Sequence, residues 1–74
     1  MKIHPTALVA EAAKVADDVE IGPFSIIGAE VEIGRGCSIG ANVILEHRVV
    51  IGEGTKVGHG TILGGNPQAL GFDQ

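Results

Sequence analysis

Three histidines are the residues of this chain best suited to proton transfer, because imidazole titrates near neutral pH. They are His4, His47 and His59. His4 opens the first repeat of the chain, and we expect it at a corner or an end of the fold. His59 stands between two glycines, which favours a solvent-exposed turn. No catalytic residue is assigned, and His47 and His59 remain the only candidates for a general base.

His47 belongs to a cluster of ionisable residues, Glu46-His47-Arg48. Such a cluster could hold a catalytic base. It could equally form an ion-paired corner at a boundary between subunits. The spacing of the residues is compatible with both interpretations.

Cys37 is the single cysteine of the chain, and its place among small residues predicts a core position rather than a nucleophile. A lone thiol suits a reducing compartment, so we expect a cytoplasmic protein. The histidines stand 12 or more residues apart, without nearby cysteine or aspartate at ligand spacing. We therefore expect no metal and no other cofactor.

The charge and hydropathy of the chain exclude several kinds of partner. A net charge of −4 with five basic residues argues against a nucleic-acid groove or an anionic membrane surface. No apolar run reaches the ~18 residues of a membrane-spanning helix, and no signal peptide is visible. A chain of 74 residues makes one small domain at most, and oligomerisation is the expected source of additional stability.

Aliphatic residues recur at every sixth position over most of the chain. The column contains Ile3, Val9, Val15, Ile21, Ile27, Ile33, Ile39, Leu45, Ile51, Val57 and Leu63. Glycine follows in seven of these hexads, and the fifth position is small or β-branched apart from Pro67. We expect the aliphatic residue to point inward, the fifth residue to fill the corner, and the glycine to permit a tight turn.

A period of six fits neither a helix nor an open sheet, but it fits a coil of short strands with a corner after each hexad. Three sides give a triangular coil of 18 residues. The sequence therefore predicts an all-β parallel β-helix of about 3.7 coils over residues 1–68. Residues 69–74 are expected to form a tail or the start of a further loop.

One outward-facing column of this coil is apolar. The residue before each inward aliphatic faces out, and on two sides this position is mostly charged or polar. The third side is aliphatic throughout, with Leu8, Ile26, Ile44 and Ile62. Because a monomer would not leave such a patch wet, we predict that it forms a subunit interface.

The hexad resembles that of the hexapeptide-repeat acyltransferases. That resemblance implies a left-handed parallel β-helix and a homotrimer. Ile3-His4-Pro5-Thr6-Ala7, Ile21-Gly22-Pro23-Phe24 and Asn66-Pro67-Gln68 are similar to segments of the acyl-carrier-protein UDP-N-acetylglucosamine O-acyltransferases of lipid A synthesis. In that family, acyl carrier protein and UDP-N-acetylglucosamine are the partners.

The resemblance also implies a site residue and its limits. Gln68 matches a glutamine that helps hold the nucleotide sugar, whereas Ala69 and Gly71 replace the usual aspartate and lysine. The catalytic histidine of the family lies on a later coil, so no residue here is assigned to it. We expect an amino-terminal fragment that keeps the trimeric fold without turnover.

Two alternatives stay open at this point. The chain could be a minimal or engineered self-assembling β-helix with no ligand. It could also be a complete small acetyltransferase that uses coenzyme A, in which case His47 or His59 would have to lie in a cleft between subunits.

Overall fold

The computed structural model describes residues 1–64. These residues form eleven strands of two residues each. The strands are β1 (Lys2–Ile3), β2 (Leu8–Val9), β3 (Lys14–Val15), β4 (Glu20–Ile21), β5 (Ile26–Ile27), β6 (Glu32–Ile33), β7 (Ser38–Ile39), β8 (Ile44–Leu45), β9 (Val50–Ile51), β10 (Lys56–Val57) and β11 (Ile62–Leu63).

The strands build three parallel sheets. The first sheet contains β1, β4, β7 and β10, the second contains β2, β5, β8 and β11, and the third contains β3, β6 and β9. Neighbouring strands pair at a constant offset of 18 residues, so that Ile26 lies between Leu8 and Ile44. The chain is therefore an all-β parallel solenoid with three complete turns and two strands of a fourth. This confirms the predicted solenoid, while the predicted boundary after residue 68 lies outside the described residues.

The core lies inside the three sheets and follows the hexad. The second residue of each central strand is buried, and so is the residue that precedes the strand. The buried residues are Val19, Ile21, Ser25, Ile27, Val31, Ile33, Cys37, Ile39, Val43, Leu45, Val49, Ile51 and Val57. The inward positions predicted from the period of six are thus confirmed in the middle of the stack.

In the lower coils, the glycines after the inward aliphatics serve close packing, which corrects the expected role in a tight turn. They are Gly22, Gly28, Gly34 and Gly40. A Cβ atom on Gly22 would lie 2.8 Å from the backbone of Gly40, and one on Gly28 would lie 2.6 Å from the carbonyl oxygen of Glu46. Neither glycine has a positive φ. Side chains are therefore excluded here because the next coil approaches too closely.

Apart from Gly64, the residues with positive φ lie two positions after the glycine position of the hexad, at the turns. We name these turns the first corner (residues 5–6, 23–24, 41–42 and 59–60), the second corner (11–12, 29–30 and 47–48) and the third corner (17–18, 35–36 and 53–54). From residue 24 onward, the second residue of every described turn is left-handed. These residues are Phe24, Glu30, Gly36, Asn42, Arg48, Gly54 and Gly60.

The turns stack on one another through hydrogen bonds. The Asn42 N–H donates to the Pro23 carbonyl at 2.9 Å, and the Gly60 N–H donates to the Ala41 carbonyl at 2.9 Å. In the first coil, side chains replace the carbonyls: Thr6 Oγ1 accepts from the Phe24 N–H at 3.0 Å. Asp18 Oδ1 accepts from the Gly36 N–H at 2.8 Å in the same way. Polar side chains thereby hold the first left-handed turns in place.

Candidate functional site

The outer face of the second sheet carries the apolar residues predicted from the sequence. Leu8, Ile26, Ile44 and Ile62, which we call the outer column, stack in register. Leu8, Ile26 and Ile62 are 65%, 43% and 60% exposed. Within residues 1–64 the other two faces are mixed, with Lys2, Glu20, Ser38 and Lys56 on the first sheet and Lys14, Glu32 and Val50 on the third. The structure places the column on one face, and its role as a subunit interface stays a prediction.

His59 lies at the first corner and binds the backbone of the coil below. Its Nδ1 accepts a hydrogen bond from the Ala41 N–H at 2.8 Å. Gly40 makes room for the ring, because a Cβ atom there would lie 2.7 Å from Nδ1. A neutral imidazole in this position carries its proton on Nε2. Neither ring nitrogen is then free to accept a proton from a substrate.

His47 lies at the second corner, on the opposite edge of the second sheet from His59. The side chain is exposed. Its neighbour Arg48 places Nε 3.6 Å from Glu30 Oε1, with the two side chains 82% and 66% exposed. Arg48 thus pairs with an acid of the coil below and not with Glu46. That this corner lies at a boundary between subunits stays a prediction. Such an exposed pair contributes little stability.

His4 directly precedes the first corner of the lowest coil, close to its expected place. Its Nδ1 lies 2.8 Å from Thr6 Oγ1. The same nitrogen accepts from the Thr6 N–H at 3.2 Å. These contacts with Thr6 give His4 a structural role in the turn.

The two small polar residues of the core are also satisfied. Cys37 is buried, and its Sγ lies 3.0 Å from the Gly52 carbonyl oxygen. It is therefore a core residue and not an accessible nucleophile. Ser25 Oγ donates to the Gly40 carbonyl at 2.7 Å and accepts from the Val43 N–H at 3.1 Å. Both side chains link successive coils.

The remaining site predictions concern a substrate contact, metal binding and a membrane span. The predicted substrate contact Gln68 lies outside the described residues. Among residues 1–64, no group of three or more His, Cys, Asp or Glu side chains is placed to hold a metal ion. The same part of the chain contains no helix long and apolar enough to cross a membrane.

One feature of the site escaped sequence reasoning. Phe24 is 61% exposed at the first corner, beside the outer column, with a φ of 59°. Pro23 was the available signal, because proline is favoured at the position just before the left-handed residue of a type II turn. Glycine is the usual residue at the left-handed position. A phenylalanine after proline therefore does not by itself indicate a left-handed residue.

Comparison with known proteins agrees with this architecture. The sequence model of the bacterial transferase hexapeptide family, described as six repeats, matches residues 12–47 and 30–65. The chain belongs to this family. Its hexads are the short strands and corners described above.

Short segments of this hexapeptide-repeat chain are also similar to curated enzymes named acyl-[acyl-carrier-protein]–UDP-N-acetylglucosamine O-acyltransferase. The enzyme of Thiobacillus denitrificans is 76% identical over 25 residues, which cover 34% of this chain and 10% of the relative. That of Saccharophagus degradans is 65% identical over 26 residues, covering 35% and 10%. That of Rickettsia canadensis is 61% identical over 28 residues, covering 38% and 11%. The matched segment thus spans about a tenth of each relative's length.

Proposed function

We propose that this chain forms the opening coils of an acyltransferase that transfers an acyl group from acyl carrier protein to UDP-N-acetylglucosamine. The observation that carries the proposal is the 76% identity over 25 residues to an enzyme of that name. A chance match of this kind is disfavoured because the chain belongs to a family of transferases. A cytoplasmic location, expected from the lone cysteine, is part of the proposal.

The proposal includes a left-handed coil and a homotrimer. The trimer is supported by the outer column, since Leu8, Ile26 and Ile62 are exposed and Ile44 is half-buried, which is unfavourable for a monomer. Burying them would contribute about 6 to 10 kcal/mol per subunit before the costs of association. For a domain of this size, that amount is comparable with the whole free energy of folding.

Transfer to a sugar hydroxyl requires a base that removes the hydroxyl proton as the acyl thioester is attacked. Among residues 1–64, His59 Nδ1 is occupied by the Ala41 amide, and the exposed His47 has no described hydrogen bond that would orient its ring. We therefore expect the 74-residue chain to keep the fold of the enzyme without its turnover.

A transfer assay with 3-hydroxyacyl-acyl carrier protein and UDP-N-acetylglucosamine tests this function. The product of the complete reading frame that contains these residues should form acylated sugar nucleotide, and the 74-residue chain should form none. A complete product that is folded but does not acylate this sugar nucleotide would contradict the proposed substrate.

The same assay addresses the histidines. Turnover by the 74-residue chain that is lost in His47→Ala or His59→Ala would overturn the expected inactivity. The small complete acetyltransferase would then be the better hypothesis, and coenzyme A thioesters would be the next substrates to assay.

A further inference from the structure

Phe24 combines an unusual backbone with an exposed aromatic ring. Its φ of 59° is left-handed, a conformation that is rare for bulky side chains. The other described non-glycine residues with positive φ are polar: Glu30, Asn42 and Arg48. Strain that persists at an exposed position points to a role for the side chain held there.

The first corner is built to keep this conformation. The Phe24 N–H donates to Thr6 Oγ1 below it at 3.0 Å. Above it, the Pro23 carbonyl accepts from the Asn42 N–H at 2.9 Å. Phe24 nevertheless remains 61% exposed, at the corner that borders the second sheet and its outer column.

The composition of the three faces restricts how copies of the chain can pack. If the outer column packed on the first sheet of a neighbour, aliphatic side chains would cover Lys2, Glu20 and Lys56. If it packed on the third sheet, they would cover Lys14 and Glu32. Both arrangements bury charge without a partner, which is unfavourable. A three-fold axis parallel to the solenoid, with the three outer columns meeting on it, buries aliphatic groups against one another.

This arrangement sets corners against each other. With the second sheets facing the axis, the first corner of each copy meets the second corner of the next. Phe24 and Glu30 differ by six residues, which is about 1.6 Å of height in a coil that rises ~4.8 Å per turn. Phe24 therefore faces the second corner of the next copy between the levels of Ala12 and Glu30. The Arg48 side chain reaches this level, because its Nε lies 3.6 Å from Glu30 Oε1.

On these grounds we infer that Phe24 is an anchor residue that docks on the second corner of an adjacent copy, over Ala12 and against Arg48. The inference rests on the trimer proposed above. Ala12 is small and exposed, and the Arg48 side chain is 82% exposed, so both are open to a ring. A guanidinium group stacks favourably on an aromatic face. Aromatic residues with arginine partners are typical of interface anchors.

Disulfide crosslinking tests the geometry of this contact. In the variant Phe24→Cys/Glu30→Cys, mild oxidation should join neighbouring chains into covalent dimers and trimers on a non-reducing gel. Residues 24 and 30 of one chain lie at opposite ends of one side of the triangle, too far apart for an internal bridge. The matched control Phe24→Cys/Asp17→Cys, which moves the second thiol to the third corner, should give no covalent trimer. Cys37 is buried and stays in all variants.

The outcomes separate the inference from the trimer itself. Sedimentation equilibrium is run on the parent and on both variants. A trimer without the 24–30 crosslink would overturn the docking of Phe24 and leave the trimer intact. A parent chain that stays monomeric at every concentration would overturn both.

A second pair of variants separates the ring from its backbone strain. Phe24→Gly and Asn42→Gly both place glycine at a left-handed position of the first corner, one coil apart. Phe24→Gly should raise the concentration for half-dissociation of the trimer by about tenfold or more, as expected for loss of an aromatic anchor. Asn42→Gly should leave it within about twofold. Equal behaviour of the two variants would show that the ring makes no contact between copies.

Discussion

Gly28 illustrates how little space separates successive coils. A Cβ atom there would lie 2.6 Å from the Glu46 carbonyl oxygen, which belongs to the backbone and cannot rotate away. Gly58 stands at the equivalent hexad position near the top of the described stack, and its Cβ atom would meet only Thr61 Oγ1 at 3.8 Å. The same repeat position is therefore under different steric limits in different coils.

We predict that Gly28→Ala lowers the free energy of unfolding by about 2 to 3 kcal/mol, because the coils must separate to admit the methyl group. Gly58→Ala should change it by less than about 0.5 kcal/mol. Urea unfolding at one protein concentration provides the measurement. Indistinguishable midpoints for the two variants would contradict the steric explanation.

Ser25 supplies a polar link inside the core. Its hydroxyl group donates a hydrogen bond to the Gly40 carbonyl and accepts one from the Val43 N–H. Ser25→Ala leaves both buried groups without this partner and should cost about 1 to 3 kcal/mol of unfolding free energy. Ser38→Ala, on the outer face of the first sheet, is the control and should have little effect. A loss no larger for Ser25→Ala than for the control would refute the buried link.

At the level of the strand, a strand of two residues has no stability of its own and depends on the coils above and below it. Burial of the inward residue shows this dependence: Ile3 is 38% exposed in the lowest coil, whereas Ile27 is 1% exposed in the next. Each strand is therefore stabilised according to its place in the stack, as in other repeat proteins.

A gradient of stability along the stack is the expected consequence. Ile27→Ala should cost about 3 to 4 kcal/mol of unfolding free energy, in the range for large-to-small changes in a core. Ile3→Ala should cost less than about 1 kcal/mol, since much of that side chain already contacts water. Amide hydrogen exchange should likewise be slower in β5 than in β1. Uniform exchange along the chain would contradict the gradient.

At the scale of the whole molecule, the outer column decides assembly. Ile26→Asp/Ile44→Asp would bury unpaired carboxylates at the three-fold contact, at a cost of several kcal/mol for each site. We predict that sedimentation equilibrium finds monomers of this variant. The double variant Ser38→Asp/Val50→Asp adds the same charges to the other two faces and should remain a trimer.

Two results would disprove the assignment of the face. One is a trimer that persists in Ile26→Asp/Ile44→Asp. The other is a trimer that dissociates only in Ser38→Asp/Val50→Asp, which would move the interface to the first or third sheet.

The candidate residues were found from the sequence, but their surroundings were not. The positions of Leu8, Ile26 and Ile44 on one face followed from the period, because residues 18 apart must stack. His59 was expected as a solvent-exposed turn residue, and the bond from the Ala41 N–H to its Nδ1 could not be foreseen. That contact depends on the space left by Gly40 and on the height of two coils together, neither of which is encoded within a single hexad.

The sequence by itself determined the period, the inward aliphatic column and the apolar outer column, because each depends only on which way side chains alternate along a strand. Only the tertiary structure decided why glycine follows the aliphatic residue and which turns are left-handed. It also decided that Thr6 and Asp18 take the place of backbone carbonyls beneath Phe24 and Gly36. These features arise between coils, where residues 18 apart in the chain come within hydrogen-bonding distance, and their geometry is set by the stacked backbones together.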